Sequence, residues 1–153
     1  MFHYFIIKII PFNIYMKKAL IKNLKEDVYC RIKPSKKHGV GVFAIKDIPK
    51  DINPFKLTGN QCIKSKVINI SEEEVNSFPS EVKKMVNDFY HNEDGVYGIP
   101  YKGLNANDIS FYMNMSTKPN VGFESDNKCS MVVFKTLRKI KKGEELLINY
   151  DDF

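Results

Sequence analysis

Arginine is almost missing from this chain. Arg31 and Arg138 are the only two, so lysine supplies nearly all of a formal net charge of +6. An ammonium group is a compact point charge and a poor bidentate reader of phosphates or base edges. A direct role with nucleic acid is therefore not expected. Cysteine and histidine are sparse too. Cys30, Cys62 and Cys129 are odd in number and far apart, no Cys-x-x-Cys pair occurs, and His3, His38 and His91 are scattered. The sequence thus offers no zinc ligand set, no other metal site and no disulfide framework. Free thiols suit an intracellular protein. There is no internal repeat and no low-complexity tract. There is also no strand–helix–strand alternation of the kind that builds a doubly wound nucleotide-binding sheet.

What is present fits one domain, with or without a short appendage, in 153 residues. A chain of this length can bury roughly 68–70% of its unfolded surface, so a core needs no covalent staple. The first fifteen residues, MFHYFIIKIIPFNIY, are apolar. They are too short to span a bilayer and are interrupted by Lys8 and Pro11. They lack the leading basic residues and small-residue cleavage site of a signal peptide. We read residues 1–15 as an added strand or tail of unclear role, with Met16 as an alternative beginning, and expect no membrane partner.

Beyond that point the chain reads as many short strands around one helical insertion. VYCRI (28–32), VGVFAI (40–45), PFKL (54–57), KVINI (66–70) and VYGIPY (96–101) are strand candidates. So are VGF (121–123), MVVFKTL (131–137) and ELLINY (145–150). Ser71 with Glu74 forms a capping box for a helical turn. Ser80 is expected to cap EVKKMVNDFY, where Val82, Met85, Val86 and Phe89 repeat at helical spacing. The expected fold class is mainly β, built of small sheets.

Three stretches stand out. HGVGVFAIKDIP carries Gly39 and Gly41 at the lip of a strand, where no Cβ blocks close approach. FYMNMSTKPN (111–120) sets Asn114, Ser116 and Asn120 among aromatic and thioether groups. KKGEELLINYDDF turns at Gly143 and runs to Tyr150 near the end. Taken singly, these read as a hairpin, an Asx-type turn and a core or edge tyrosine. Their order and spacing resemble those of SET-domain protein-lysine methyltransferases. DISFYMNMSTKPN is similar to the family's Asn-His-Ser motif, and KKGEELLINY to its Gly-Glu-Glu-Leu…Tyr motif. The resemblance covers residues 28–152.

The resemblance implies small curved sheets with a C-terminal pseudoknot and a short helical insertion. It implies methyl transfer from S-adenosylmethionine to the side-chain amine of lysine in a protein, a histone tail being one such substrate. By position, Gly39 and Gly41 line the cofactor pocket, Asn114 holds its amino-acid end, and the Met115 backbone meets the adenine. Met115 stands where the family has histidine. Asn120 fixes the pseudoknot. Tyr150 is the catalytic tyrosine and also borders the cofactor; Tyr97, Tyr150 and Phe153 wall the lysine channel. Tyr101 and Tyr112 are expected to pack in the core. Only three residues follow Tyr150, so no cysteine-rich closing segment is expected, and Phe153 or a second subunit in a homodimer would complete the channel. The chemistry needs a neutral amine, yet only about one free lysine in a thousand is neutral near pH 7.4. A desolvated aromatic channel favours that neutral form. A histone substrate would place the protein in the nucleus, another substrate in the cytoplasm. The other reading is a module of the same fold that binds a peptide or protein without catalysis.

Overall fold

The computed structural model describes residues 3–58, 66–126 and 131–152. It opens on a helix, α1 (His3–Glu26). This differs from the strand or tail expected for residues 1–15. Those residues lack a strand alternation, and they continue directly into the helix-favouring run MKKALIKNLKE. The end of α1 is tied down: Asn23 Nδ2 donates to Lys56 O at 3.2 Å, and Lys56 pairs with Asp27 at 3.5 Å.

The remaining strands form three small sheets. β1 (Cys30–Pro34) and β2 (Val40–Ala44) make an antiparallel hairpin. β2 pairs antiparallel with β9 (Glu145–Ile148), and β9 pairs in parallel with the two-residue β6 (Asn114–Met115). β3 (Val67–Ser71), β4 (Asn92–Glu93) and β5 (Val96–Pro100) make the second sheet, in the order β3-β5-β4. β7 (Val121–Asp126) and β8 (Met131–Thr136) make the third. Two helices interrupt the second sheet, α2 (Glu72–Asn76) and α3 (Ser80–Phe89).

Local sequence explains most boundaries. The capping box forms as read: Ser71 Oγ accepts from Glu74 N, and Glu74 Oε2 accepts from Ser71 N. Ser80 is not a cap. It is the first residue of α3, and Pro79 takes the cap position without a side-chain bond. PFKL is a turn rather than a strand, because Pro54 has no N–H and Asn53 Oδ1 accepts from Phe55 N at 2.9 Å.

Two apolar clusters result. One joins Val42, Ala44, Ile48, Met113, Val121, Ile140, Leu146 and Ile148 beneath the first sheet. The other joins Val75, Val86 and Tyr97 in the insertion. Aromatic edges link the insertion to the chain leading into β6. Phe89 at the end of α3 meets Phe111 and Tyr112 with ring centroids 6.2 and 5.6 Å apart, and Tyr90 meets Phe111 at 5.8 Å.

Candidate functional site

The three stretches singled out in the sequence converge where β2, β6 and β9 meet. β9 is held from both sides. Val42 and Phe43 face it from β2, and β6 continues alongside. Asn120, 2% exposed, serves its 145 and 147 positions. Asn120 Nδ2 donates to Glu145 O at 2.8 Å, and its Oδ1 accepts from Leu147 N at 2.8 Å. The Asn120 N–H donates to Leu147 O at 3.1 Å, and its own C=O accepts from Leu137 N at 2.9 Å. A single side chain and its peptide thus stand in for a missing strand. Tyr150 follows β9 in a 3₁₀ turn (Tyr150–Asp152), two residues beyond the strand end rather than on it. Its hydroxyl donates to Met113 O at 2.5 Å, folding the C-terminal segment over the start of β6.

Asn114 is the centre of the corner. Its Nδ2 donates to Glu145 Oε1 at 2.7 Å and Val40 O at 3.0 Å, with His38 O at 3.4 Å. Among the described residues its Oδ1 accepts no hydrogen bond. Ser116 N donates to Ile148 O at 2.8 Å. Backbone groups alternate along a strand, so the N–H and C=O of Met115 turn away from β9. Met115 is 36% exposed.

Gly39 and Gly41 do different jobs. Gly39 has φ of +46°, a left-handed conformation that ends the 35–39 turn, and Ser35 N donates to its C=O at 3.0 Å. Gly41 makes room. A Cβ there would lie 2.1 Å from Glu145 Oε1 and 2.9 Å from Asn114 Nδ2. The close approach foreseen at Gly41 is thus made by this chain's own polar side chains. Gly41→Ala should keep the fold, since the displaced atoms end flexible side chains, but should move the Asn114 amide. We expect the Asn114 side-chain amide resonances to shift in an NMR spectrum with the far-UV circular dichroism unchanged.

Not every expected residue gathers here. Tyr97 packs in the insertion cluster, 6% exposed, and its hydroxyl donates to Asn87 Oδ1 at 2.8 Å. That places it in a different core from Met113, beneath Tyr150. Phe153 lies outside the described residues. Tyr112 packs against the first cluster as foreseen, but Tyr101 does not: it is 77% exposed. It rims an open apolar groove of about 350 Å³ lined by Ile70, Phe78, Val82, Ile99 and Leu104. Its reach is set by Pro100 and Gly103, which turn the chain outward; Gly103 N donates to Pro100 O at 2.8 Å.

Two residues of the corner carry no expectation from sequence, Ser35 and Glu145. Ser35 Oγ donates to the Glu145 carboxylate, at 2.8 Å to Oε1 and 3.0 Å to Oε2. The signal was a carboxylate opening an otherwise apolar strand, with its partner 110 positions away.

Titration chemistry narrows what the corner can do. Burial pushes the Cys30 thiol up to about 12, so it is no nucleophile near neutrality. Burial also pushes the Tyr150 phenol above its ordinary value. Near neutral pH Tyr150 is therefore a neutral hydroxyl. Its proton is committed to Met113 O, so it meets a ligand with oxygen lone pairs. No cluster of three or more His, Cys, Asp or Glu side chains able to hold a metal is found among the described residues.

A SET-domain family profile matches residues 39–151, most of the chain and most of this corner. A relative from Schizosaccharomyces pombe, named histone-lysine N-methyltransferase, H3 lysine-37 specific, is 30% identical over 122 residues. The match covers 79% of this chain and 72% of that protein. A solved structure from Plasmodium falciparum, described as a candidate histone methyltransferase, is 21% identical with a TM-score of 0.44, covering 80% of this chain and 92% of that one. A humanised mutant of the Chaetomium thermophilum Polycomb Repressive Complex 2, bound to an inhibitor, is 22% identical with a TM-score of 0.42. That match covers 81% of this chain and 15% of that one.

Proposed function

Because the chain belongs to the SET-domain family, we propose that it transfers a methyl group from S-adenosylmethionine to the side-chain amine of a lysine in a protein substrate. The Asn114 amide is the observation that carries this reading. Its N–H groups are turned onto three acceptors, which leaves Oδ1 as an acceptor for a donor such as the ammonium of the cofactor's amino-acid end. The groups present fit that cofactor: the Asn114 amide oxygen for its ammonium, and the outward N–H and C=O of Met115 for a flat polar ring.

When bound, S-adenosylmethionine supplies a methyl on a sulfonium. The chain's own residues supply alignment, which is worth roughly 7–11 kcal/mol in favourable cases. Asn114 anchors one reactant. Tyr150 accepts an N–H of the incoming amine and so turns the nitrogen lone pair toward the methyl. Its phenol stays protonated well past neutrality, so it orients the amine rather than deprotonating it.

The relative named for lysine 37 of histone H3 supports a histone as substrate, and with it a nuclear location. A second reading, a module that binds a peptide without transfer, draws on the open apolar groove of the insertion and on Met115 in place of histidine. Titration calorimetry with S-adenosylmethionine tests the first reading. The unaltered protein should bind, and Asn114→Ala should lose about tenfold or more in affinity. No binding at millimolar cofactor would sink the reading and move the second ahead.

A further inference from the structure

Glu145 lies at the centre of the corner, and the motif that contains it assigns it no role. Its carboxylate is half-buried. Among the described residues no lysine or arginine forms an ion pair with it. A half-buried charge without a counter-ion is costly unless hydrogen bonds satisfy it. Here they come from Ser35 Oγ and Asn114 Nδ2.

An asparagine amide has two orientations of nearly the same shape. In the one seen, the NH₂ group meets Glu145 Oε1, Val40 O and His38 O. A half-turn would set Oδ1 against three oxygens. The carboxylate is the nearest of the three and the charged one, so it contributes the largest part of the preference.

We infer that Glu145 is a positioning residue for cofactor binding: it locks the Asn114 amide with Oδ1 outward, and Ser35 in turn holds Glu145. The inference rests on the cofactor reading of this corner. It also explains Gly41, the position where a Cβ would evict the carboxylate.

The test is a double-mutant cycle read by titration calorimetry with S-adenosylmethionine on the full chain. Glu145→Gln keeps an acceptor for Asn114 and should bind within about threefold of the unaltered protein. Glu145→Met keeps the length without the acceptor and should lose about tenfold or more. In an Asn114→Ala background, Glu145→Met should add nothing, because its effect travels through that amide. Losses that multiply in the double variant would overturn the inference, as would Glu145→Met binding like the unaltered protein. If Glu145→Met does not fold, Ser35→Ala replaces it. A loss of affinity that disappears in the Asn114→Ala background supports the inference; an unchanged affinity overturns it. Absence of binding by the unaltered protein is a different outcome, since it removes the cofactor reading itself.

Discussion

Asn120→Ala should cost about 3–5 kcal/mol of stability. The side chain makes two hydrogen bonds to β9, to Glu145 O and from Leu147 N, both 2.8 Å long. Alanine leaves a buried carbonyl and a buried N–H without partners, at about 1–3 kcal/mol each, and opens a cavity besides. A domain of this size has only about 5–15 kcal/mol to lose. The thermal midpoint should drop by roughly 10 °C or more, since each kcal/mol is worth about 2–4 °C in a chain of this length. Asn120→Asp keeps the acceptor for Leu147 N but sets a carboxylate oxygen against Glu145 O, so it should also destabilise. Calorimetric scans of both variants check this. A midpoint for Asn120→Ala within a degree or two of the unaltered protein would mean that β9 is held by other means.

Tyr150→Phe should separate chemistry from binding. Misplacing the reacting atoms by about 1 Å can cost about 10²-fold in rate, so kcat should fall by about that much. The phenylalanine ring keeps the apolar contacts. The stability cost should be about 1 kcal/mol, one hydrogen bond to Met113 O. Cofactor affinity should stay close to normal, because Asn114 and the Met115 backbone are untouched. Single-turnover transfer rates and cofactor titrations on the same preparation measure both quantities. A variant that transfers methyl at the normal rate would remove Tyr150 from the chemistry. The phenol's raised pKa adds a pH criterion. Deprotonation of Tyr150 belongs above its ordinary range, so a change in rate near neutral pH must come from another group.

The sequence showed the corner better than its walls. β2 was readable because VGVFA is a short β-branched run with glycines at its lip, and β9 because ELLI follows a tight glycine turn. Asn114, Asn120 and Tyr150 stood out through the spacing of their motifs, and the fold brings all three to β9. Several misses come from contacts between residues distant in sequence. Ser35 and Glu145 are 110 positions apart, and no local pattern announces their bond. Tyr97 resembles a channel wall by its place after the insertion, but its ring is claimed by Val75 and Val86. Tyr101 resembles a core residue by its neighbours in sequence, but the turn at Pro100–Gly103 carries it outward. The helix over His3–Glu26 was hidden because its apolar first half shows no clear period, and only the run after Met16 carries strong helix formers.

The central claim, methyl transfer to lysine at this corner, meets its most direct test in a labelled-transfer assay. The purified protein is incubated with methyl-labelled S-adenosylmethionine and either assembled histones or a cell lysate, and the labelled lysines are located by mass spectrometry. Label is expected on lysine side chains of a protein substrate, with its near-complete loss in Tyr150→Phe. Label that persists with Tyr150→Phe, or no label on any protein despite cofactor bound in the calorimeter, would contradict it.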